Sequence, residues 1–214
     1  YLEPNITLSG YYHPSQNNFL LETFVPFARI GNKGVEQLSL KILANKQQFL
    51  CDTKTEKFRL NDQLNLYNLA IASQAQNDSL RVDLNWNNYK SKNNYSGSIG
   101  TLTHFVQNEL RASNINVSIE PSVVVIADSV WNIGKSYMKI DSTAIGFKDI
   151  HMYGNDQHIY IEGGIARNET AALNVNLVNL DFGLIQPLMG RNDFSGKINA
   201  KAQLKDLYRK FMLN

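Results

Sequence analysis

The sequence predicts an all-β protein: an elongated antiparallel sheet built from repeated strand meanders, with one or two short helices. Three observations predict it. Apolar and polar residues alternate along most of the chain, the period of a strand with one buried and one wet face. Turn signals recur about every 8–12 residues. Asn supplies 26 of the 214 residues, and Asn suits turns and solvated strand faces far better than helix interiors.

Asn5–Gly10 alternates and stops at glycine. Phe19–Phe27 is the next strand, with Phe19, Leu21, Val25 and Phe27 on one face. Gly31-Asn-Lys-Gly34 is turn chemistry. Gln37–Leu43 aligns Leu38, Leu40 and Ile42, and the chain returns at Phe49–Asp52 after a polar tip. Further strands follow at Lys57–Leu60, Leu64–Leu66 with Leu69–Ile71, and Ser79–Trp86. After the polar turn Asn87–Asn94, Tyr95–Leu102 resumes the sheet. Thr101–Ala112 fits helix or strand, and its β-branched content favours strand. Asn114–Glu120 alternates cleanly. Val123–Ile133 is the most apolar run, suited to a strand buried on both faces or bulged at Asp128-Ser129. Met138–Ile140, Ala144–Phe147, Ile150–Met152 and His158–Ile161 lead into Leu173–Leu177. Leu184–Met189 is a short apolar link, helix or loop, that plugs one end of a layer. Phe194–Leu207 closes the pattern, and Asp206–Leu213 is a candidate terminal helix.

The chain repeats itself loosely. Tyr95-Ser-Gly-Ser-Ile99 matches Phe194-Ser-Gly-Lys-Ile198, and ahead of them Asn77–Asn85 matches Asn168–Asn176; aligned on Ser-Gly, the period is about 99 residues. This divides the chain into a first meander unit at 1–110 and a second at 111–214, both parts of one continuous groove. The start at Tyr1 and the stop at Asn214 suggest a piece of a longer protein.

Charged residues make up 19% of the chain and the formal net charge is +2. The basic residues do not cluster, so no nucleic-acid footprint is present. No apolar run approaches the 18 residues of a membrane-spanning helix. Cys51 stands alone, which excludes an internal disulfide and suits a buried, inert thiol. No Walker loop, dinucleotide fingerprint, nucleophile elbow or metal-spaced histidine pattern occurs. Nothing implies a cofactor, a metal or an enzyme. His13, His104, His151 and His158 are scattered; His151 and His158 flank one turn and suit a structural role. Asp141 and Asp149 suit solvated faces better than paired acids. Five Asn-x-Ser/Thr sequons are near the number expected by chance in so Asn-rich a chain. Trp86, Tyr89, Tyr95 and Trp131 suit turn and core packing, or alternatively a sugar-stacking platform.

What stands out is a long one-sided apolar surface made of strands, with little helix to cover it. Such a face must be buried. The sheet can fold over on itself, pair with a second sheet or hold apolar ligands, and a U-shaped sheet around an apolar groove combines the first and the third.

Pro121-Ser-Val-Val-Val-Ile-Ala-Asp-Ser-Val-Trp-Asn-Ile133, Ile159-Tyr-Ile-Glu-Gly163, Leu180-Asp-Phe-Gly-Leu-Ile-Gln-Pro-Leu188 and Phe194-Ser-Gly196 follow one another in the chain. In that order they resemble the TamB family of translocation and assembly module proteins, within the wider AsmA-like group, in their Bacteroidota form. Earlier, Gln76–Tyr95 and Val25–Lys33 look similar. The resemblance implies a mid-chain section of a curled sheet, a "β-taco", in the periplasm of a Gram-negative bacterium. The parent would be anchored in the inner membrane and work with an outer-membrane barrel of the BamA type. Its trough would carry phospholipid acyl chains toward the outer membrane and support outer-membrane biogenesis. The lining would come from the apolar strand faces: Leu38, Leu40, Ile42, Val82, Leu84, Ile159, Ile161, Leu173, Val175, Leu177, Ile198 and Leu204. Two other readings stand beside this one. The first is a scaffold that docks the barrel by strand-edge pairing during protein assembly; the second is a secreted carbohydrate-binding β-sandwich.

Overall fold

A computed structural model of the protein describes residues 1–62, 64–88, 94–107, 113–167, 171–189 and 195–205. The chain forms one fifteen-stranded antiparallel sheet. Its first half is a plain meander of β1 (Thr7–His13), β2 (Asn18–Ile30), β3 (Lys33–Ala44), β4 (Phe49–Arg59), β5 (Asn65–Gln76), β6 (Ser79–Asn87) and β7 (Ser96–Gln107). The middle holds four short strands, β8 (Ser113–Ile119), β9 (Ser122–Ile126), β10 (Ser129–Ile133) and β11 (Ser136–Ile140). The meander resumes with β12 (Ala144–Gly154), β13 (Gln157–Ala166), β14 (Ala172–Asp181) and, after helix α1 (Phe182–Met189), β15 (Lys197–Lys205).

β8 and β9 lie end to end along β7, and β11 and β10 lie end to end along β12. Together they are one long hairpin broken at its middle, since β8 pairs β11 and β9 pairs β10. The run Val123–Ile133 is therefore not a single strand, bulged or otherwise. It turns at Ala127 and Asp128, both left-handed at φ 48° and 66°, the geometry of a two-residue hairpin turn. Asp128 is held there because Asn94 N–H donates to its Oδ1 at 3.0 Å, while its own N–H donates to the Asn94 carbonyl at 3.2 Å.

Thr101–Gln107 is strand, the continuation of β7, whereas 108–112 lie outside the described residues. So do the candidate helix from Asp206 onward and Tyr89. Gly10 does not end the first strand. It sits inside β1, where its backbone passes so close to the Leu20 carbonyl that a Cβ would collide.

The ladder is creased along two transverse lines, and bulges of this kind bend and twist a sheet. Pairing lapses at Pro26, Gln37, Glu56 and Asn68 on successive strands. Pro26 has no N–H to give, and Gln37 and Asn68 are left-handed at φ 54° and 48°. The Thr55 hydroxyl, 4% exposed, donates to the Glu36 carbonyl at 2.6 Å and reaches that of Lys57 at 3.0 Å. The second crease runs through the β8/β9 and β10/β11 breaks to Asp149 on β12, left-handed at φ 57° beside a register shift. There the fully buried Ser136 hydroxyl donates to the Gly134 carbonyl at 2.8 Å and reaches that of Asp149 at 3.1 Å. Each hydroxyl thus hydrogen-bonds to backbone carbonyls at its crease.

The tightest packing closes one end of the sheet. Val124, Trp131, Leu180 and Leu184 form a buried cluster, flanked by Trp86, Ile99, Ile133, Met152 and Ile198. Val124 and Leu180 sit four strand spacings apart, about 19 Å in a flat sheet; the curl of the sheet and α1 unite them in one cluster. Asp181 caps α1, its Oδ1 accepting from Gly183 N–H at 2.8 Å. The apolar link is thus a helix, and it contributes Leu184 to the plug. Trp86 lies over Gly97, and Trp131 over Gly154.

Two outcomes follow. In Gly97→Ala the new Cβ meets the Trp86 ring at 2.5 Å and Val124 at 2.9 Å, so urea denaturation will show a loss of about 1–3 kcal/mol from overpacking. Ser136→Ala will cost about 1–3 kcal/mol by the same measurement, because a fully buried hydroxyl loses its hydrogen bond to the backbone.

Candidate functional site

A single line of paired residues crosses the whole sheet. It runs from Tyr12 through Phe19, Ala44, Phe49, Ala75 and Leu80 to Thr103. It continues through Val117, Met138, Phe147, Gly163 and Leu173 to Leu204. Directly opposed residues share a face, so this row defines one face of the sheet, called face A, from edge to edge. Face B is its reverse.

All twelve residues predicted to line a groove lie on face A. Leu38, Leu40 and Ile42 sit at even steps from Ala44 on β3, and Val82 and Leu84 at even steps from Leu80 on β6. Ile159 and Ile161 step from Gly163 on β13. They oppose Leu177 and Val175, which step from Leu173 on β14. Ile198 steps from Leu204 on β15 and opposes Leu180 across the bulge at Asn179. The structure thus brings these residues onto one surface. It also adds members that alternation in single strands did not single out, among them Ile71 and Ile99, directly opposite Leu84, and Phe105, Ile115, Ile140 and Ile145 in an adjoining row.

Face A is sheltered without being covered. Eleven of the twelve predicted residues are half-buried, and Leu204 is 41% exposed. Among the described residues only Leu64, Val124, Trp131, Leu180 and Leu184 are buried apolar side chains, far fewer than a closed core of this size would hold. The chain exposes 13763 Å², against about 10,000 Å² for a compact monomer of its mass. Ile198 touches the plug at the closed end, as do Ile159 and Leu177, whereas the remaining nine lie outside that cluster.

Face B carries most of the ion pairs, while Lys57 bonds Glu36 at 2.7 Å at face A positions beyond the first crease. Lys41 bonds Glu22 at 2.8 Å across β3 and β2, Arg81 bonds Asp83 at 2.8 Å along β6, and Lys197 bonds Asp156 at 2.9 Å. The Glu22 carboxylate holds the Lys41 ammonium above its usual range.

The side chains weighed for chemistry have structural placements. No group of three or more His, Cys, Asp or Glu positioned to hold a metal occurs among the described residues. Cys51 is on face A opposite Ile42 and Ser73, half-buried and not fully enclosed. Asp141 ties a turn, its Oδ1 accepting from Thr143 N–H and Oγ1 and from Ala144 N–H; these bonds lower its pKa. Asp149 sits at the crease. His151 and His158 do come together, Nε2 to Nδ1 at 3.2 Å, in a stack with Tyr153 and Tyr160 on face B. Trp131 is 2% exposed and Trp86 packs against it, so the indoles form core and not an exposed platform.

No helix among the described residues is long and apolar enough to cross a membrane. No family model matches the chain, and no characterised protein or solved structure matches it significantly.

Burial first, and the neighbouring His158 charge second, push the His151 pKa below its ordinary value of about 6.5. Its neutral form is the one the fold accommodates, so its contribution is full above that value and is lost as pH falls through the lowered one. NMR titration will place the His151 midpoint below 6.5, and His151→Gln will flatten the fall in denaturation midpoint over that window.

Proposed function

We propose that this chain is a section of a periplasm-spanning hydrophobic β-groove that conducts phospholipids between the inner and outer membranes. One observation carries the reading: apolar side chains recur on one face of the sheet from β1 to β15 and, outside the buried plug, most of them stay half-exposed. The thirteen ranks of strand in the sheet path are separated by twelve spacings, which at about 4.8 Å each extend that face over roughly 58 Å. This is longer than any single acyl chain, so a lipid can move along it without leaving apolar surface.

The energetics fit such a conduit. Each exposed CH₂ costs about 0.8 kcal/mol in water, on the order of 12 kcal/mol for a palmitoyl chain. A continuous lining removes most of that barrier with no reaction step. The resemblance to the TamB family supports the same reading. On that reading the parent chain would be anchored in the inner membrane and would work with a BamA-type barrel.

A second reading has its own observation. β1 is exposed throughout and carries no Asp, Glu, Lys or Arg, whereas β15 carries Lys197, Lys201 and Lys205. Charged edges resist strand addition and uncharged ones invite it, which favours β1 as a docking edge for a barrel or another partner.

The test is phospholipid content, by extraction and mass spectrometry, of protein purified from a bacterial envelope. Val175→Asp and Leu84→Asp on face A will reduce co-purified phospholipid at least about fivefold, the scale set by a charge on apolar lining. Asn176→Asp on face B will leave it unchanged. Equal loading of all three variants sinks the conduit; a folded, lipid-free protein moves the assignment to edge docking.

A further inference from the structure

We propose that face B carries a second site: a slot across β7, β8, β11 and β12 that binds a ring-bearing organic anion. The sequence builds it from unequal side chains in two adjacent rows. Leu102, Ser118, Tyr137 and Lys148 are opposed in one row, and His104, Asn116, Lys139 and Gly146 in the next. On β8 the short Ser118 and Asn116 lie between the longer residues of β7 and β11. The result is a cleft of about 610 Å³, within the range of small-molecule sites.

The walls and floor suit a flat ring. Leu102 and Tyr137 line opposite sides, and Gly146 leaves its place empty: a Cβ there would meet only the Lys139 carbonyl, at 3.9 Å. His104 is oriented by the Ser79 hydroxyl, 2.9 Å from its Nδ1. Aromatic and apolar walls with a few polar groups on the floor are the usual composition of a ligand cleft.

The charge decides the ligand. Lys135, Lys139 and Lys148 line the cleft against one carboxylate, Glu120. None of these lysines has an ion-pair partner among the described residues, while Lys41, Arg81 and Lys197 on the same face are paired. Lys135 Nζ stands 6.0 Å over the Tyr137 ring, so cation and ring already adjoin. A carboxylate, phosphate or sulfonate on an arene or sugar ring would meet both.

Val117, Met138, Phe147 and Gly163 of the face A row also border the cleft, so its test is chosen to separate the two sites. Anilinonaphthalene sulfonate, a ring-bearing anion, is titrated by fluorescence and calorimetry into the folded chain and its variants. Lys139→Ala, Tyr137→Ala and Gly146→Val, which fills the slot without touching its charge, are each expected to raise Kd at least about fivefold, the loss typical of truncating or blocking a central contact. Val175→Asp on face A is expected to leave this binding intact, and added salt to weaken it. No binding, unchanged affinity in all three slot variants, or loss only in Val175→Asp overturns the proposal. Phospholipid content measured on the same samples reports the conduit separately, so either idea can fail alone.

Discussion

The antiparallel ladder is the constraint on which everything else here depends. Cross-strand hydrogen bonds fix which residues stand opposite one another, and a one-residue slip would exchange the two faces of a strand. From Tyr12 to Leu204 no such exchange occurs. Each local alternation is therefore added to its neighbour's, and short apolar stripes become one surface as wide as the sheet. A helical chain with the same composition would have closed these residues into a core.

Keeping such a face in register while curling the sheet needs local relief. Two creases provide it, and each has a buried hydroxyl: Thr55 in the first half and Ser136 in the second. The backbone there departs from the ladder at Gln37, Asn68 and Asp149, and the short polar side chains of Asn68 and Asp149 bear left-handed φ better than apolar ones. The abundance of Asn serves this end as well as the wet face. Asn77 and Asn155 make turns, and Asn179 makes the bulge that lets Leu180 enter the plug.

The all-β class and the two-faced strands were legible because alternation is a local signal. The twelve face A residues could be chosen strand by strand, and the ladder then placed them together. What stayed hidden depended on neighbours distant in sequence. Thr55 and Ser136 look like ordinary strand hydroxyls until adjoining strands crease over them. Val123–Ile133 hid its hairpin because Val123 and Val130 are apolar yet 53% exposed, so alternation fails, and Ala127-Asp128 lacks glycine or asparagine to announce a turn. The slot on face B was invisible for a similar reason. Its residues come from separate strands, and only the register sets short ones between long ones.

The most direct test of the account is photocrosslinking. The chain would be loaded with phospholipid bearing a diazirine in its acyl chain, irradiated, and mapped by peptide mass spectrometry. Adducts concentrated on face A positions such as Val82, Leu84 and Val175, and absent from Arg81, Asp83 and Asn176 on the same strands, are the result the account predicts. Adducts spread equally over both faces, or confined to the β1 edge, would contradict a lipid-bearing sheet face.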